Sequence, residues 1–100
     1  MHRSNDRGRA PSLESARPLA LEALLYLASD ELRMSKFLDA TGMEGADLRT
    51  RARADGTLVA VLEYMLADES LLLVFAANGS HPPGAVLPAL ERLQNEGDIG

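Results

Sequence analysis

The sequence predicts an all-α protein, a bundle of about six short helices, and three observations lead there. Apolar residues recur three and four positions apart, as in "PLALEALLYLA" and "TLVAVLEYMLA", the period that lets a helix bury one face. Nowhere does the chain alternate apolar and polar residues as a half-buried strand would. Acids suited to helix starts and glycines suited to helix ends punctuate the apolar runs, at Asp30, Gly42, Asp68 and Gly79.

Taken in order, residues 1–12 mix Arg, Asn, Asp, Ser, Gly and Pro without a period, so nothing there offsets the entropy of ordering, and a disordered tail is expected. The first helix starts at Pro18, a residue suited to a first turn, and points Leu21, Leu24, Leu25 and Ala28 inward. The second opens at Ser29 or Asp30, whose side chains accept from first-turn amides, and closes at Gly42. "EGADLRTRARA" makes a short third helix with Leu48 and Ala52 inward, ended by the break at Asp55 and Gly56. The fourth carries Leu58, Val61, Leu62 and Met65 on one stripe, and the fifth runs from Asp68 to Gly79. After "SHPP" the last helix is "GAVLPALERLQN", with Pro88 either in its first turn or kinking it. One domain is expected over residues 13–96, with 97–100 a frayed C-terminus.

Two stretches echo each other thirty-eight positions apart: "YLASDELRMSKF" at 26–37 and "YMLADESLLLVF" at 64–75. Tyr26 matches Tyr64, Asp30 matches Asp68, Glu31 matches Glu69 and Phe37 matches Phe75. The pattern admits a reading as two pseudo-repeated three-helix units, although Gly42 and Gly79 are one residue out of step. Paired carboxylates at a catalytic centre need to face one cavity. Here each pair stands where a helix begins and satisfies orphaned amides, so scaffold is the expected role.

Composition narrows the function classes. With 46% apolar residues in a chain of 100, one core can form without staples. The absence of cysteine removes disulfides, thiolate metal sites and cysteine nucleophiles, and fits a reducing cytoplasm. Two Tyr, two Phe and no Trp make a poor stacking platform for single-stranded nucleic acid. The net charge of −5 is uneven: residues 1–53 balance at +1 and residues 54–100 at −6, so an anionic partner must meet the first half. The most apolar window is interrupted by Glu63, Asp68 and Glu69, which argues against a membrane span, and no export signal is visible. Phosphate-loop, zinc, calcium and nucleophile-elbow patterns are missing, and His81 in "GSHPPG" reads as a solvent-facing loop histidine. The expectation is therefore no enzyme, no cofactor, no metal and no catalytic residue.

Two functional surfaces remain. The apolar run Leu71, Leu72, Leu73, Val74, Phe75 points all around a helix and cannot be wholly enclosed in so small a bundle. With Leu58, Leu62 and Met65 it forms a candidate partner face, through Leu71, Leu72 and Phe75, for another protein or for self-association as a homodimer. The alternative is a DNA-associated regulator. Residues 31–53 resemble a helix-turn-helix, with Arg49, Arg51 and Arg53 on or beside the recognition helix as candidate nucleic-acid contacts. Leu38, where that motif wants a small residue, and the acidic balance rank nucleic acid below a protein partner.

"ALEALLYLASDE", "FLDATGMEGADLR" and "LADESLLLVFAA" resemble an uncharacterised family of short, roughly hundred-residue, chiefly alphaproteobacterial proteins classed only as a domain of unknown function. The similarity covers about residues 18–92, and the loop "SHPPG" departs from the family pattern. The resemblance implies a helical cytoplasmic domain and supplies no activity, cofactor or catalytic residue.

Overall fold

A computed structural model of the protein describes residues 13–99, and their side chains from 15 to 95; the tail expected at 1–12 and Gly100 lie outside the described residues. Among them are six α-helices and no strand: α1 Leu13–Ala28, α2 Glu31–Thr41, α3 Gly45–Thr50, α4 Asp55–Leu66, α5 Glu69–Gly79 and α6 Val86–Ile99. A single 3-10 turn, Pro83–Ala85, leads into α6. Helices α1, α4 and α6 pack against one another, α2 leans on α1, and α5 leans on α4.

α1 departs from expectation twice. It begins five residues before Pro18, which falls in its second turn instead of its first. The ring is exposed there, and one missing N–H so near the start costs only a single ladder bond. Its buried stripe is Ala16, Leu19, Ala20, Ala23, Leu24 and Leu27, while Leu25 and Ala28 face outward and Leu21 is half-buried. Three alanines hold inward positions because small side chains let α4 and α6 approach closely, a preference that counting leucines overlooks.

The caps follow the sequence. Asp30 is the N-cap of α2, accepting from the Arg33 N–H at 2.9 Å, and Asp68 is the N-cap of α5, accepting from the Leu71 N–H at 3.2 Å. Gly42 ends α2 with φ 76°, where an L side chain would be strained, and its N–H donates to the Leu38 carbonyl at 2.8 Å. Replacing Asp68 with Ala is expected to cost about 1 kcal/mol in a urea unfolding titration, because the Leu71 amide loses its carboxylate and the dipole loses its countercharge. A loss under about 0.3 kcal/mol would mean that water caps α5 equally well.

The end of α5 is built differently. Gly79 is still helical, and the left-handed residue is Ser80, φ 60°. A Cβ on Gly79 would lie 2.6 Å from His81 Cδ2 and 2.9 Å from Glu22 Oε2, so the glycine serves packing and the backbone reversal passes to its neighbour. Pro88 is the third residue of α6, in its first turn. α6 continues to Ile99, past position 96 where the domain was expected to end.

The sequence echo meets itself crosswise. Tyr26 lies against Phe75, ring centroids 5.7 Å apart, and Phe37 meets Tyr64 edge-on at 5.2 Å. Each aromatic of one stretch thus touches the opposite aromatic of the other, in the edge and tilted geometries that ring quadrupoles favour. The third elements do not correspond, α3 having six residues and α6 fourteen.

Candidate functional site

The residues chosen as a partner face are mostly core. Leu58, Leu62, Met65 and Phe75 are all at most 2% exposed, and Leu71 and Leu72 are half-buried against them. The stripe on α4 that reads as amphipathic is indeed one, and it is consumed by α1 and α6. Too little of these four reaches the surface for another protein's face to rest on them.

Surface apolarity lies elsewhere. Leu25, Leu32, Leu73, Val74 and Leu87 are 68, 65, 46, 51 and 50% exposed. On α1, Glu22, Leu25, Tyr26 and Ser29 share one face at helical spacing, and on α5 so do Phe75, Asn78 and Gly79. Together they frame a hollow of about 310 Å³. Its floor is aromatic and its rim polar. Leu32 lines a second hollow with Asp30, Arg33, Lys36, Tyr64, Asp68 and Leu71, so one face of α5 borders a recess near its start and another near its end.

Four planar groups run in a row, of which the middle two, Tyr26 and Phe75, line the first hollow. The Arg33 guanidinium sits 4.3 Å from the Tyr26 ring centroid, Tyr26 tilts against Phe75, and the His81 imidazole stacks on Phe75 at 5.7 Å. Arg33 is fixed by donating from Nη1 to the Tyr26 carbonyl at 3.1 Å, an acceptor it shares with the Ser29 hydroxyl at 2.7 Å. His81 is held at the other end by Glu22, with Nε2 and Oε1 3.0 Å apart, and its own N–H donates to the Ala76 carbonyl at 2.8 Å.

His81 is therefore no free loop residue, and its anchoring is the main feature that the sequence reading missed. Its carboxylate partner is 59 positions away, beyond the reach of any local pattern. A carboxylate touching an imidazole has the parts of a proton relay, but acyl transfer also needs a nucleophile and oxyanion donors placed around it. Here Nε2 is engaged by Glu22 and a ring face by Phe75, which suits a clasp that ties the chain after α5 to α1. Among the described residues no three His, Asp or Glu side chains gather in metal-binding geometry.

The helix-turn-helix segment changes most. α3 spans six residues, so only Arg49 belongs to it; Arg51 is its C-cap and Arg53 lies in the following turn. The helix expected to have all three on or beside it ends at Thr50 because Arg51 adopts φ −116°, ψ 18°, and its N–H bonds back to Asp47 and Leu48. All three arginines are exposed. No described helix is long and apolar enough to cross a membrane.

Fold and surface together define a small all-helical domain with an apolar core that includes Phe37 and Phe75, and with apolar side chains left outside. The chain belongs to the family described as "Protein of unknown function (DUF3572)", whose profile matches residues 13–96, a wider span than the resemblance over 18–92. No curated protein and no solved structure matches it.

Proposed function

We propose that the domain is a non-enzymatic protein-interaction module of the cytoplasm, and that its nearest partner is a second copy, most simply in a two-fold dimer. The observation that supports this reading is the apolar surface around α5. Leu73 and Val74 stand on the helix itself, while Leu25 and Leu32 line the recesses near its end and its start. Removing such side chains from water contributes about 25 cal/mol per Å², and exposed apolar side chains on the same domain as open recesses suit a self-complementary contact. The cysteine-free composition supports the cytoplasmic placement.

Light scattering on a size-exclusion column is expected to give twice the monomer mass at high micromolar concentration. The double substitution Leu73→Ser, Val74→Ser should return the monomer without unfolding it, since both side chains are already half in solvent. A wild-type chain that stays monomeric there would remove self-association. The DNA-regulator alternative has less support, because a helix of six residues carries one of its three arginines into a groove.

A further inference from the structure

A third hollow, of about 400 Å³, opens between α1 and the start of α4, away from the recesses beside α5. Pro18, Leu21 and Leu58 form its walls and floor, and Arg17 and Arg53 stand at its rim. Leu58 belongs to the core and is 1% exposed, so the floor is the outer edge of the bundle's apolar interior. Its volume falls within the range of about 300–1,000 Å³ usual for small-ligand sites.

The charges at the rim are unequal. Arg17 pairs with Asp55, which leaves that guanidinium neutralised and oriented. Arg53 is exposed and makes no ion pair among the described residues. Among the described residues that line the recess, Arg17 with its partner Asp55 balances and Arg53 leaves one positive charge, on a chain whose total is −5.

We infer that this hollow binds an amphiphile with one aliphatic tail and one carboxylate, the tail lying along Pro18 and Leu21 over Leu58 and the carboxylate meeting Arg53. Charge complementarity selects the ligand class. A neutral amphiphile leaves Arg53 unanswered, and a cationic one is repelled. A planar guanidinium presents paired donors that match a carboxylate. Pro18 contributes a ring face and, having no N–H, adds no polar group to the wall. This site is independent of the dimer contact.

The test uses the isotope-labelled full chain and decanoate, kept below the concentration at which it forms micelles, with decanol as the neutral arm. Decanoate is expected to shift the amide resonances of residues 17–21 and 53–58. Arg53→Glu should weaken it by roughly tenfold or more, the scale of a charge-assisted hydrogen bond, and leave decanol unchanged. Arg53→Lys should keep part of the affinity. Equal decanoate affinity in wild type and Arg53→Glu would overturn the assignment, as would shifts confined to Leu25, Leu32, Leu73 and Val74. A short peptide ending in an apolar residue and a free carboxylate that displaced decanoate and bound more tightly would overturn it too, making the hollow a protein-docking site.

Discussion

Replacing Phe75 with Ala is expected to lower the unfolding free energy by about 3–5 kcal/mol. The ring is 2% exposed and has Tyr26 on one side and His81 on the other. Its removal opens a void that two aromatic neighbours cannot close, since Tyr26 is tied through its carbonyl to Arg33 and His81 through Nε2 to Glu22. Domains of this size have total stabilities of about 5–15 kcal/mol, so the variant stands close to the folding threshold. Urea titration followed by helical circular dichroism measures the loss directly. A cost below about 1 kcal/mol would show that the seam between α1 and α5 is not part of the cooperative core.

Gly79→Ala is expected to cost about 1–2 kcal/mol, against the usual gain from replacing a helical glycine. The new Cβ meets the His81 ring at 2.6 Å and the Glu22 carboxylate at 2.9 Å. Glu22 is exposed and can turn away, but the imidazole is clasped on both sides, so it must leave Phe75 or the helix end must shift. A double-mutant cycle separates the two. If the His81 ring is the obstacle, Gly79→Ala in a His81→Ala background should cost nothing or stabilise slightly. The same penalty in both backgrounds would place the strain in the backbone instead.

Both results turn on contacts of a kind the sequence exposes unequally. Asp30 and Asp68 could be read as caps because a cap is satisfied within three residues. The α4 stripe of Leu58, Val61, Leu62 and Met65 could be read as buried because periodicity within one helix states which side turns inward. What lies against that side is a different matter, and taking part of the stripe for a partner face ignored how much of it α1 and α6 cover. α5 has no period through Leu71 to Phe75, so the division into buried Phe75 and exposed Leu73 and Val74 is decided by neighbours, not by the run itself. α1 was misjudged by about one residue of rotation because its inward alanines carry little hydrophobic weight. The Glu22 to His81 clasp and the hollow beside Arg53 each join distant segments, and neither leaves a local trace.

The apolar core has its own consequence for how the chain comes into being. α1 packs on α4 and α6, and the rings of the first stretch find their partners only in the second. A nascent chain that has reached Ala28 therefore carries an inner stripe that α4 covers only in part, and the cover is complete only when Val86 and the turns after it are made. At about 5–20 residues per second, that wait lasts on the order of several seconds. During it, Leu19, Leu24 and Leu27 lack part of their native cover. Translation speed through the stretch between Tyr64 and Val86, more than any property of the first half, then sets how long the newborn protein remains open to aggregation.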